Sequence, residues 1–122
     1  MQESRNPRES TWLWMAKATS GVLIVVILIV HLAANHLAPG GLKNYADVVA
    51  YLSNPWIALL EETFLVLVVS HALLGMRGIV LDLNPSYPLM RWVDRALWAT
   101  AILAVIYGIW LIRVIVSRGT GG

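Results

Sequence analysis

Apolar residues in this chain gather into three long blocks separated by short polar, proline- and glycine-bearing stretches. No charged residue occurs between Lys17 and Lys43, and the middle of that block reads GVLIVVILIV. At about 1.5 Å of rise per residue, a run of this length is what a helix needs to cross the hydrocarbon of a bilayer. The pattern predicts a first span over residues 12–37, ended by Pro39, Gly40 and Gly41. The apolar run is too long for a cleaved leader and is read as a span. Residues 43–55 read as a loop with room for a short helix. Asn54-Pro55 is a helix-start signal, because proline fits the first helical position, and a second span follows over 56–81. Asn84-Pro85 and Tyr87-Pro88 predict a tight turn, and a third span over 92–116 carries no charge between Arg95 and Arg113. Residues 1–11 read as a polar cytoplasmic tail with Arg5 and Arg8. The expected fold is all-α: a single integral membrane domain over residues 1–122, with three spanning helices.

Composition supports the bilayer as solvent. Of 122 residues, 58% are hydrophobic and 13% charged, and the mean hydropathy is +0.69. A water-soluble domain this small has too little interior to hide that much apolar surface. Trp12, Trp14, Trp56, Trp92 and Trp110 fall near the predicted span ends, where an amphipathic ring is at home. Arg5, Arg8, Lys17, Arg77, Arg91 and Arg95 fall on one side of the membrane, against Lys43, Arg113 and Arg118 on the other. The positive-inside bias predicts a cytoplasmic N terminus and an outer C terminus. The net charge of +2 is too small and dispersed for nucleic-acid binding. Cysteine is absent, which excludes disulfides, thiolate metal sites and covalent haem attachment.

The candidate chemistry lies in polar residues inside the spans, where each is costly unless paired or bound. His31 sits in the first span and His71 in the second, and neutral imidazole is a common haem-iron ligand. Counted along the helices, His31 is about 28 Å from the cytoplasmic start of its span and His71 about 16 Å from the cytoplasmic end of its own. A depth difference of about 12 Å is too large for one iron. If both are ligands there are two haems, each with its second axial ligand from a partner chain. The remaining histidine, His36, lies near the outer interface. The alternative is that each imidazole simply bonds to a neighbouring helix. Gly75, one turn beyond His71, and Gly78 would let a flat macrocycle approach the backbone, or would serve helix packing. Asn35, four residues after His31, is placed to hydrogen-bond near the outer end. Glu61 and Glu62 point about 100° apart around the second helix, so at most one can face the bundle and carry protons while the other pairs or snorkels outward. Arg77 is either an interfacial anchor or a partner for a haem propionate. Asp82 shares a depth with Trp12, Trp14, Lys17 and Ser20, which groups Trp14, Lys17 and Asp82 as candidate quinone contacts.

Ser70–Leu83 reads SHALLGMRGIVLDL, with His71, Gly75, Arg77 and Asp82 spaced as in the second-helix motif of succinate dehydrogenase membrane anchors, which it resembles. Lys17–Leu23, KATSGVL, is similar to the opening of the first anchor helix, and Val105–Trp110, VIYGIW, to the third helix of the smaller anchor chain. The resemblance implies that His71 is an axial ligand of haem b and places Ser20, Gly75 and Arg77 at the cofactor. His31–Leu37, HLAANHL, resembles the two-haem anchors, which implies that His31 ligates a distal haem and that the quinone is menaquinone. Two features depart from the family pattern: Leu83 stands where some ubiquinone-using anchors have a Tyr after the motif Asp, and Lys17 stands where Arg is usual. The implied setting is the cytoplasmic membrane of a bacterium or archaeon, in a heteromeric transmembrane bundle with a second anchor subunit. Succinate chemistry belongs to a flavoprotein and an iron–sulfur subunit, since this chain has neither a dinucleotide-binding glycine motif nor cluster cysteines. The rival expectations are a one-haem anchor with a structural His31, a cytochrome b subunit of another dehydrogenase or hydrogenase, and a haem-free anchor.

Overall fold

The computed structural model describes residues 10–37, 40–41 and 44–121. Arg5, Arg8, Pro39 and Lys43 lie outside them. Helix α1, Thr11–Leu32, starts where the Ser10 hydroxyl caps the Leu13 amide, and it runs on into a π-helical turn, Ala33–Leu37. Gly40 and Gly41 follow with φ of 92° and 59°, a left-handed backbone that glycine adopts without a Cβ penalty. Helix α2, Tyr45–Leu52, is the short helix for which the loop had room. Its first turn is closed by a reciprocal capping box between Asn44 and Asp47. Helix α3, Pro55–Asp82, begins at Asn54, whose side chain accepts from the Trp56 amide, with Pro55 in the first turn.

The turn before the last helix is tighter than the proline pattern predicts. Asn84, at φ 51°, reverses the chain, and α4 then runs over Tyr87–Thr120. Tyr87-Pro88 therefore opens the third span instead of belonging to the turn, because a proline in the first turn gives up only an amide that has no helical partner anyway. The third membrane-length helix covers Tyr87–Gly119, against the expected 92–116, beside Thr11–Leu37 and Pro55–Asp82. Among the described residues there are no strands, and the all-α, three-span fold stands.

The middle helix is α3. Helices α1 and α4 each pack on it, and their backbones do not approach one another. The result is an open layer of helices, not a closed bundle. Little is buried: Leu52, Ala58, Leu73, Met90 and Ser20 are the buried residues among those described. The α3–α4 seam is close at Gly108, where a Cβ would collide with the Leu65 side chain. The α2–α4 seam is close at Gly119, where it would collide with Val49. Overpacking a seam of this kind costs about 1–3 kcal/mol. Gly108→Ala is expected to lower the thermal midpoint of the detergent-solubilised protein, and adding Leu65→Ala to restore most of the loss. A Gly108→Ala midpoint equal to wild type would show that the seam can relax freely.

The antiparallel α3–α4 register is read from Arg113 opposite Glu62 and Gly108 opposite Leu65. It places Trp110 level with the middle of the outer half of α3, about 12 Å deeper than Trp56. Trp110 is thus not at the outer edge as its sequence position suggests. It stacks on Tyr107 at 5.8 Å between centroids and is 56% exposed on the outside of α4. The longer α4 explains the difference, since it continues to Thr120, level with the start of α3, and leaves Trp110 about ten residues inside its end.

Candidate functional site: two histidine stations between the first and third helices

The first station is His71. Its Nδ1 lies 3.0 Å from Ser20 Oγ and 3.2 Å from the Lys17 carbonyl oxygen. Ser20 donates its own proton to that same carbonyl at 2.9 Å. A carbonyl can only accept, and the serine proton is already committed, so Nδ1 is the donor and carries the ring proton. No described residue bonds to Nε2. The small pair in KATSGVL has a physical reason: Ser20 is the acceptor, and Gly21 leaves room for the ring. A Cβ at Gly21 would stand 3.2 Å from His71 Cε1. On the same face of α3, a Cβ at Gly75 would meet nothing within 4 Å. Gly75 therefore serves no helix packing within this chain, and the surface beside His71 stays open.

The second station is His31. Its Nδ1 lies 2.8 Å and 2.9 Å from the two carboxylate oxygens of Glu61. The Tyr51 hydroxyl donates to Glu61 Oε1 at 2.7 Å. Asn35, turned inward on the π-helical segment, donates to the His31 carbonyl at 2.7 Å and to Tyr51 Oη at 3.2 Å. The Phe64 ring lies against the imidazole, 5.3 Å between centroids. Burial first, and then the Glu61 carboxylate, push the Tyr51 hydroxyl up to about 12, so it remains a donor at physiological pH. Here too the ring proton sits on Nδ1 and Nε2 has no described partner. A cavity of about 430 Å³ opens beside this station between α2, α3 and α4, lined by Val48, Leu52, Leu65, Val68, Gly108 and Ile112 along with the polar group.

The remaining candidates separate clearly. Glu62 faces α4, where Arg113 Nη2 donates to Oε2 at 2.9 Å while its Nε stands 2.8 Å from Oε1 without hydrogen-bond alignment. Both glutamates are nearly enclosed, Glu61 against α1 and Glu62 against α4, and Glu61 is the one that meets a histidine. Arg77 is joined to α4: its Nε donates to Asp94 at 2.8 Å. The partner is a residue of this chain, although the other guanidinium donors are not used by this bond. Trp14 and Asp82 are exposed, and Asp82 makes no ion pair with a described residue, so the structure does not join them to Ser20 and Lys17 in one pocket. His36 is exposed at the outer end. Sequence reasoning missed Tyr51, Phe64 and Asp94. Asp94 was within reach, as a lone carboxylate set about as far into α4 as Arg77 is into α3. Tyr51 had no such signal, because only the fold of the loop carries it back over Glu61.

The stations are well separated. His71 meets α1 at Ser20, 11 residues before His31, and His31 meets α3 at Glu61, 10 residues before His71. Both registers put the rings about 15–17 Å apart along the bundle, more than the 12 Å expected from span ends. Among the described residues no three of His, Cys, Asp and Glu converge, so the donor set of this chain is one imidazole per station and not a cage for a bare ion.

With two lone imidazoles held at different depths of a three-span layer, the chain can be compared with known proteins. Residues 3–112 match the family described as the succinate dehydrogenase/fumarate reductase transmembrane subunit. The chain belongs to that family. It is 27% identical over 99 residues to the succinate dehydrogenase hydrophobic membrane anchor subunit of Archaeoglobus fulgidus, covering 81% of this chain and 85% of that one. It is 31% identical over 86 residues to the succinate dehydrogenase 2 membrane subunit SdhC of Mycobacterium tuberculosis, covering 67% of this chain and 63% of that one. No solved structure matches the chain. Membership in a family of transmembrane subunits agrees with three apolar helices that bury almost nothing by themselves: the chain is a multi-pass membrane protein, made to pack beside other chains. His71 of the second-helix motif and the KATSGVL segment, separate in sequence, meet in the structure at one station, while Arg77 turns to Asp94 and Asp82 stays exposed.

Proposed function

We propose that the chain is a membrane-anchor subunit of a succinate:quinone oxidoreductase that supplies one axial ligand to each of two b haems, His71 to one and His31 to the other. The observation that carries this is the shared state of the two imidazoles. Each donates Nδ1–H to an acceptor of its own chain and leaves the Nε2 lone pair without a described partner, as a haem-ligating histidine requires. Both rings are only part-buried by this chain, so the second nitrogen is left for a group from outside it. The open backbone at Gly75 and the apolar cavity beside His31 fit a large flat cofactor, and the second ligands come from a partner anchor chain.

A bis-imidazole haem supplies one-electron transfer between the iron–sulfur side and the membrane quinone, here menaquinone. The residues of this chain do the rest. Lys17 and Ser20 fix the tautomer and plane of His71. Glu61 and Tyr51 do so for His31. The Arg77–Asp94 pair ties α3 to α4 near the cytoplasmic end, where Lys17, Trp14 and Asp82 lie toward the quinone and the soluble subunits, with the N terminus cytoplasmic. Glu61, the carboxylate at the His31 station, is also the candidate of the pair for proton transfer, since Glu62 is held by Arg113. The expected wild-type result is two haems per complex by pyridine haemochrome assay, normalised to covalent or extractable flavin. One haem would favour the reading in which His31 is structural, and none would sink both.

A further inference from the structure

Glu61 differs from its neighbour Glu62 in what compensates it. Both side chains are nearly enclosed, 13% and 12% exposed, in a helix that crosses the membrane. An intramembrane carboxylate is costly and needs a compensating partner. Arg113, the nearest cation on α4, is taken by Glu62. Instead, both Glu61 oxygens converge on one ring nitrogen of His31, and Tyr51 donates to Oε1 from the opposite side. Asn35 in turn donates to Tyr51 Oη and holds the backbone carbonyl of His31 itself. Four elements, α1, the π-helical turn, α2 and α3, thus contribute to the setting of a single imidazole. His71 has nothing comparable: its Nδ1 meets a neutral carbonyl and a neutral hydroxyl. The two stations differ in the charge behind the ring.

We infer that Glu61, backed by Tyr51, is the positioning residue of the His31 ligand: its carboxylate fixes the Nδ1–H tautomer and ring plane and raises the basicity of Nε2, and so favours the ferric over the ferrous state of a haem bound there. The inference rests on the proposed role of His31 as a ligand. A carboxylate behind a ligating imidazole draws the ring proton toward itself and leaves the other nitrogen a stronger donor. A stronger donor stabilises the more highly charged iron. Tyr51 acts in the opposite sense. Its proton draws charge from Oε1, which moderates the effect of the carboxylate on the ring. Glu61 and Tyr51 therefore have opposite signs, and neither acts on the His71 station, about 15 Å away along α3.

The test is a redox titration of the reduced α band in the assembled complex, with variants at both stations and haem counted in each. His31→Ala identifies the component that belongs to this station. Glu61→Gln is expected to keep its haem and to move that component to higher potential, a tenfold loss of ferric preference being about 59 mV for one electron. Glu61→Asp keeps the carboxylate and is expected to shift it less than Glu61→Gln does. Tyr51→Phe, a change on the short outer helix, is expected to move it the other way. The component that remains in His31→Ala is expected to stay in place in all three. A merely structural role predicts loosened packing without opposite shifts. Should Glu61→Gln leave the midpoint unmoved, or Tyr51→Phe shift it in the same direction as Glu61→Gln, the positioning role is overturned while the ligand role stands. Should His31→Ala keep its full haem content, the two-haem reading fails and takes this inference with it.

Discussion

Replacing His71 with alanine is expected to remove one of the two proposed haems and to weaken assembly of the complex. The ring is the one side chain on α3 that Ser20 and the Lys17 carbonyl are arranged to hold, and its Nε2 has no described partner. Without the ligand, the space for a large apolar cofactor has nothing to fill it, and unfilled apolar cavities cost several kcal/mol. The loss of the ring's own hydrogen bonds is a smaller effect, about 1 kcal/mol each. The two contributions separate in Ser20→Ala. That variant leaves the Lys17 carbonyl as acceptor and is expected to retain the haem with lower thermal stability. Haem per complex and the yield of intact complex on gel filtration are the measurements. An unchanged haem content in His71→Ala would remove the basis for this ligand.

His31→Ala is expected to lose about half of the haem, while the other half keeps its spectrum. The structural reason is the distance between stations. Two registers, Ser20 against His71 on one helix pair and Glu61 against His31 on the same pair, place the rings about 15–17 Å apart along the membrane normal. No single iron spans that gap, and neither site borrows a residue from the other. With the proposed cytoplasmic N terminus the His71 station is the nearer one, so reduction of the remaining haem from that side is expected to survive. A one-haem anchor behaves differently: its His31→Ala variant breaks the bond to Glu61, strands a carboxylate in the membrane, loses stability, and keeps all its haem. Haem stoichiometry in this single variant therefore distinguishes a ligand from a structural ion pair, even though both forms of the protein would be less stable.

The separation of the stations also shows which parts of the site were legible beforehand. His31 and His71 stand out in the sequence because polar residues inside apolar blocks are few, and counting residues at a fixed rise gives their difference in depth. That count underestimated the separation although its ends were right to a residue, because it took the start of α1 and the end of α3 as level, whereas Ser20 opposite His71 offsets them by about three residues. The ends of α4 moved further. Tyr87-Pro88 looked like part of a turn and instead opens a helix. Trp110 looked like an edge residue and instead lies well inside, since α4 continues to Thr120. The Glu61 and Glu62 pair was half legible. Their angular offset sends them to different neighbours, but that Glu61 meets α1 and Glu62 meets α4, both of them nearly enclosed, depends on where those helices lie around α3. Arg77 was open between two roles for a related reason: its partner Asp94 is 17 residues away on another helix.

What the sequence by itself determined is the class of protein: three membrane-length apolar blocks, their breakpoints at Asn-Pro and Gly-Gly, and two intramembrane histidines in family-like settings. These follow from hydropathy and local backbone chemistry, which act over a few residues and are written directly in the chain. Only the tertiary structure decided the partners. The proton on His71 Nδ1 is assigned by a carbonyl 54 residues earlier, and the proton on His31 by a carboxylate 30 residues later. Tyr51 reaches Glu61 because a short capped helix folds back over the outer end. Side-chain chemistry inside a membrane is set by whichever groups share the same few ångströms without water. That depends on how α1 and α4 dock on α3, which no stretch of sequence read on its own contains.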